Sequence, residues 1–159
     1  MSYDYSEEEI RKRTRIALGV LQKNDLFLLA QGVNERSIAH KFAEYLQEQF
    51  PDWNVDCEYN RKGIKLKELK DIRECDERKK TNRVFPDIIV HQRNRKRNLL
   101  VIELKKTGLD SRCDIRKLEL LTNMERDYGY SLGLFIQFDN FLPKLKWFKD
   151  GKQIGCESQ

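Results

Sequence analysis

Asp87, Glu103 and Lys105 are the residues of this 159-residue chain whose types and spacing best suit chemistry. Pro86-Asp87 interrupts an apolar run, with Val84-Phe85 before it and Ile88-Ile89-Val90 after it. Glu103-Leu104-Lys105 follows a second run, Leu99-Leu100-Val101-Ile102. Central strands rarely carry charge on a covered face without a partner or a function. Side chains alternate along a strand, so Glu103 and Lys105 share a face. If the two runs pair as an antiparallel hairpin centred near Arg95, Asp87 falls opposite Glu103. Paired positions lie about 4.5–5.5 Å apart. Two carboxylates at that distance repel unless a cation sits between them, and hard divalent ions such as Mg²⁺ prefer oxygen ligands. Lys105 would stand beside them as an ammonium or as a base of shifted pKa. Asp, Glu and Lys are common in this chain, so an E-x-K spacing also arises by chance.

Glu35 adds a third acid. Asn34 suits the N-cap of a helix running to Gln49, with Pro51 just beyond its end. At about 100° per residue, Glu35 falls in the middle of the stripe made by Ile38, Ala39, Phe42, Ala43 and Leu46. It therefore points where a sheet should be, although a first-turn Glu also serves the helix dipole. His40 falls off that stripe and reads as a surface or groove residue.

The other elements follow from local signals. Ser6-Glu7-Glu8-Glu9 reads as a capping box that opens a helix over residues 7–22. Asn24–Leu29 fits either another helical turn or a short extended piece. Asn54–Tyr59 alternates as a strand. Residues 61–83 hold ten basic and five acidic residues and have room for a short helix around Leu66–Ile72. Gln92–Asn98 is a polar connection of hairpin type. A helix is expected from Asp110 to Glu125, then a buried strand over Tyr130–Phe138. Leu145–Lys149 reads as a final edge strand, followed by an Asp150-Gly151 turn. Strands interleaved with helices predict an α/β fold, a sheet covered by helices. The length and the lack of a linker or repeat predict one domain over 1–159.

Composition bounds the reading. Leu, Ile, Val and Phe make up 44 of the 159 residues, about 28%, above the roughly 20% below which disorder is expected. Charged residues reach 36% against a usual value of about 25%, so the core is lean and the surface ionic. The net charge of +5 hints at a polyanionic partner. No apolar run approaches the 18 or more residues of a membrane helix. The N-terminus lacks the basic-then-apolar pattern of a secretory signal. Cys57, Cys75, Cys113 and Cys156 form no C-x-x-C pair, and only His40 and His91 could join them at a zinc site. They read as reduced cytoplasmic thiols.

The order of these elements carries a resemblance. A helix with Glu35, then Pro86-Asp87 entering a strand, then Glu103-Leu104-Lys105 on the next strand, then a helix and a strand, resembles the PD-(D/E)xK nuclease superfamily over residues 33–140. Asn34-Glu35-Arg36-Ser37-Ile38-Ala39-His40 and Val84–Val90 are similar to its small stand-alone prokaryotic members. The resemblance implies a restriction-endonuclease-like core of αβββαβ order, with a mixed sheet of about four or five strands. It implies a Mg²⁺-dependent deoxyribonuclease, with Mn²⁺ as a substitute ion. Asp87 and Glu103 would bind the metal with the Leu104 carbonyl, and Glu35 would be a second-sphere or second-metal acid. Lys105 would orient or activate the attacking water. Some members carry Gln-x-x-x-Tyr on the following helix; this chain does not, and its Gln137 lies in the later strand. Lys106 should face away. DNA is the implied partner, with a homodimer or a larger defence or repair complex in the cytoplasm or nucleoid. The alternative is a catalytically silent nucleic-acid-binding or assembly module with the same fold.

Basic segments supply candidate phosphate contacts. Arg93, Arg95, Lys96 and Arg97 crowd the hairpin tip, and Arg61 and Lys62 open the charged stretch. Lys146 lies in a basic C-terminal tail over 144–159, beside the stacking candidates Trp147 and Phe148. A solvated surface and protected sheet edges explain such clusters equally well.

Overall fold

In the computed structural model, residues 4–25, 34–57, 86–139 and 142–158 are described, together with the backbone of 61–62 and 65–66. The first helix, α1 (Glu7–Asn24), starts as expected and runs two residues past 22. Ser6 accepts the Glu9 N–H at 3.2 Å. Glu9 does not complete the reciprocal half of the capping box; its carboxylate pairs with Arg13 one turn on, at 2.9 Å. The next helix, α2 (Glu35–Gln49), is capped by the Asn34 side chain, which accepts the Ser37 N–H at 3.0 Å.

The strands are β1 (Asn54–Cys57), β2 (Arg61–Lys62), β3 (Lys65–Leu66), β4 (Ile88–Gln92), β5 (Arg97–Lys106), β6 (Leu132–Asp139), β7 (Leu142–Lys149) and β8 (Lys152–Ser158), with α3 (Arg112–Thr122) between β5 and β6. Six of them form one open sheet in the order β1-β4-β5-β6-β7-β8. β5 and β6 are parallel, and the other neighbours are antiparallel. Among the described residues, β2 and β3 form a separate two-stranded pair. The chain is thus α/β, with a mixed six-stranded sheet and three helices among the described residues.

Three expectations need correction. The sheet has six strands rather than four or five, because residues 142–158 are two strands and not a basic tail. β7 lies inside the sheet, between β6 and β8, since Leu145, Trp147 and Phe148 are all fully buried. The Asp150-Gly151 turn does form, with φ of 49° and 79°, the left-handed pair that a two-residue hairpin requires. α3 is shorter than 110–125. Leu66 opposes Arg61 in a strand pair instead of opening a helix. Residues 67–72, 26–29, 58–60 and 84–85 of the expected elements lie outside the described residues.

Two cores follow from the period-2 alternation. On one face Ile88, Val90, Leu100, Ile102 and Leu104 pack with α1 and α2. On the other, Ile89, Val101, Phe135 and Phe148 pack with Leu118 and Leu121 of α3. Burying each such side chain contributes about 1.5–3 kcal/mol. Gly133 lets α3 sit close to β6: a Cβ there would meet Thr122 Cγ2 at 2.9 Å. Among the described residues, no helix is long and apolar enough to cross a membrane.

Candidate active site

The β4–β5 hairpin builds the site. Its register pairs Ile88 with Ile102, Ile89 with Val101 and Val90 with Leu100. One step further sets Asp87 opposite Glu103. The register slips by one between Val90 and His91, and the chain turns at 93–96, with Asn94 at φ 64°. Asp87 Oδ2 accepts the Leu104 N–H at 2.7 Å. That amide contact brings the Leu104 backbone to Asp87.

Glu103 lies on the face covered by α3 and is 1% exposed. Its Oε2 accepts from Lys117 Nζ at 2.8 Å. Its Oε1 is buried with no hydrogen-bond partner. Lys105 shares that face but turns to Asp114, with Nζ 3.1 Å from Oδ2. Lys117 Nζ is also 3.6 Å from Asp114 Oδ1. On β6, Gln137 is the register partner of Lys105.

Asp114 and Lys117 are absent from the residues that sequence reasoning selected. A signal was present: Asp114 is in line with the buried Leu118 and Leu121 on α3. That is the same sign, a charge in the middle of an apolar stripe, that picked out Glu35.

Glu35 reaches the site from the opposite side. The buried side chains of α2 are those expected, Ile38, Ala39, Phe42, Ala43 and Leu46, and they pack on the other face of the sheet. Glu35 closes over the end of β5, where its Oε1 accepts the Lys106 N–H at 3.2 Å. The three acids and Lys105 therefore meet around the strand end rather than on one face.

Electrostatics separate the roles. Burial raises the Asp87 carboxyl above its ordinary value, against the Leu104 hydrogen bond, with Asp114 and Glu35 adding to the rise. Burial raises Glu103 well above the ordinary range, and nearby Asp87 and Asp114 push the same way against Lys117. Partial burial works against the Lys105 charge, but Asp114 and Glu35 outweigh it and its pKa is raised. Burial also opposes the Lys117 charge, yet Glu103, Asp114 and Asp87 hold it raised. Both lysines are thus ammonium groups at neutral pH.

Among the described residues, no three His, Cys, Asp or Glu side chains form a ready-made cage for an ion. The acids are arranged around an ammonium instead. The donor set is nonetheless all oxygen, and the orphaned Glu103 Oε1 lacks only a partner. These features fit a hard divalent cation.

The candidate phosphate contacts lie elsewhere. The 93–96 turn is at the far end of β4 and begins about 20 Å from Asp87 at about 3.3 Å per residue. Arg93 is bound to Asp56, with Nε 2.9 Å from Oδ2. Arg97 pairs with Asp4 and stacks over Trp53, 5.0 Å from the ring centroid. Arg95 and Lys96 belong to the turn itself. Lys146 is half-buried over the Phe135 ring, at 5.9 Å. Arg61 and Lys62 sit in the small β2–β3 pair, and their side chains lie outside the description. His40 is exposed, 3.1 Å from Glu44, in an open groove of about 430 Å³ lined by Asn34, Arg36, Ser37 and Lys41.

No family model, curated protein or solved structure matches the chain.

Proposed function

We propose that the chain is a metal-dependent nuclease domain of the PD-(D/E)xK type, hydrolysing phosphodiester bonds of DNA with Mg²⁺ or, in its place, Mn²⁺. The observation that carries this reading is Asp87 set opposite Glu103 across β4 and β5, with Lys105 on the same face. The order α2-β1-β4-β5-α3-β6, antiparallel up to β5 and parallel at β6, supports it. It accords with the αβββαβ restriction-endonuclease-like core, with β2–β3 inserted and α1, β7 and β8 added.

Asp87 and Glu103 would hold the ion, and Glu35 would flank it from the β5 end. A bound divalent ion lowers the pKa of its water and offsets negative charge at phosphorus. Lys105 would act as a cation rather than a base, because Asp114 keeps it protonated and fixed in direction. It would steady the attacking water and the charge that develops on the phosphate oxygens. A cytoplasmic or nucleoid setting agrees with a DNA substrate.

The test is cleavage of single-stranded, duplex and branched DNA by pure protein with Mg²⁺ or Mn²⁺. Wild type should cut, and Asp87→Ala and Lys105→Ala should not. Equal trace cleavage by all three defeats the reading. The Lys117 ammonium seated on Glu103 favours a second reading, a catalytically silent nucleic-acid-binding or assembly module. That module would bind DNA in a salt-sensitive way without turnover or a metal requirement.

A further inference from the structure

Lys117 has no place in the P-D…E-x-K pattern, yet it makes the shortest ion pair of the site, 2.8 Å to Glu103 Oε2. It is 15% exposed and Glu103 is 1% exposed. Asp114 divides its two oxygens between lysines, with Oδ2 toward Lys105 at 3.1 Å and Oδ1 toward Lys117 at 3.6 Å. Glu103 and Asp114 thus pair directly with the two ammonium groups, Glu35 and Asp87 lie near enough to act on their charge, and Glu103 Oε1 stays buried and unbonded. A single ammonium carries one charge and three donors. The two ammonium groups together leave the four carboxylates short of positive charge, whereas a divalent ion in the place of one of them would add a charge and complete its oxygen ligands with water. The lysine stem is flexible, so its ammonium can leave the acids without moving α3.

We propose that Lys117 is the resident counterion of the acid cluster and holds, in the metal-free protein, the place a divalent cation takes on loading. This rests on the metal-dependent reading above. Metal binding is then an exchange of cations. The ammonium keeps the buried acids tolerable before loading, and metal affinity is lower than the acids alone would give. Lys117 is a positioning residue in this scheme.

The experiment compares wild type, Lys117→Met and Lys117→Arg by calorimetric Mn²⁺ titration and by thermal unfolding in chelator and in Mn²⁺. Lys117→Met should unfold at a lower temperature in chelator and regain most of the loss in Mn²⁺. Its Mn²⁺ affinity should tighten about tenfold, within the range of coupled binding events. Lys117→Arg, which keeps the charge, should stay close to wild type. If Lys117→Met does not fold in chelator, refolding in Mn²⁺ supports the exchange, and failure to refold overturns it. In wild type, acylation of the Lys117 amine, read by mass spectrometry, should rise when Mn²⁺ is added. Mn²⁺ bound equally tightly by wild type and Lys117→Met overturns the exchange but leaves the metal site standing. No Mn²⁺ binding by either protein overturns both.

Discussion

The two ends of the β4–β5 hairpin place carboxylates on the same sheet face and treat them in opposite ways. On the neighbouring strand β1, Asp56 pairs with Ile89 in register, and its carboxylate leans toward the tip, where it accepts from His91 Nε2 at 2.7 Å and from Arg93 Nε at 2.9 Å. Burial works against its charge, but Arg93 and then His91 prevail, and its carboxyl is held below the ordinary range. At the open end, burial prevails: Asp87 and Glu103 are raised, and one Glu103 oxygen has no partner. The tip is a satisfied ion pair that helps fix the edge strand. The open end is left short of positive charge, which is where a ligand finds a use and where shifted pKa values mark candidate sites.

The largest effect that would sharpen this contrast is on cleavage. Asp87→Ala should lower metal-dependent cleavage by about 10³-fold, the several kcal/mol that a bound ion contributes to a transition state. Arg93→Ala, measured in the same assay, should leave cleavage near wild type. A comparable loss in both variants would break the contrast.

Next comes stability. Glu103→Gln strands the Lys117 ammonium in a buried site and should cost about 3–5 kcal/mol in denaturant unfolding with chelator present. Adding Lys117→Met should return most of that loss. A double variant no better than the single one would show that the pair is not coupled.

The pH dependence should differ in sign between the two ends. Asp87 has a raised carboxyl, so the folded state keeps a proton that the unfolded state has already lost. Its stabilisation is full below the unfolded value, about pH 4, and is lost as pH rises through the raised value. Asp56 is lowered, so its stabilisation is present above about pH 4 and is lost as pH falls through its own value. Relative to Asp87→Asn, wild type should gain stability between pH 7 and pH 4. Relative to Asp56→Asn, it should lose stability below about pH 4. Chemical denaturation across pH reads both slopes, and slopes of the same sign would end the distinction.

The smallest effect is expected at the turn. Arg95→Ala with Lys96→Ala should change cleavage less than about twofold and leave the salt dependence of DNA binding as it is. If these residues neutralised phosphates, the log–log slope would fall by about 0.9 for each contact.

Much of the site was legible because it rests on short-range rules. Asp87 faces Glu103 because strands alternate and the hairpin turns near Arg95. Glu35 reaches the site because Asn34 caps α2 and its apolar stripe has a fixed period. Asp114 and Lys117 went unread although the stripe of α3 contains Asp114, since no P-D…E-x-K spacing points to that helix. The cations of residues 93–97 were legible as charges but not as partners. Asp56 lies 37 residues from Arg93, and Asp4 is farther still from Arg97. The inner position of β7 was hidden for a related reason: an alternating strand reads alike at the edge and in the middle of a sheet.

By itself, the sequence determined the caps, the strand alternation, the Asp150-Gly151 turn and the pairing of Asp87 with Glu103, since each depends on residues close along the chain or on a single hairpin. Only the tertiary structure decided which cation meets which acid. Packing α3 against β5 and β6 carries Lys117 onto Glu103 from 14 residues away, and α2 on the other face brings Glu35 to Lys106 from 71 residues away. Coulomb energies in a buried site depend on such distances and on the exclusion of water, and neither is written in local spacing.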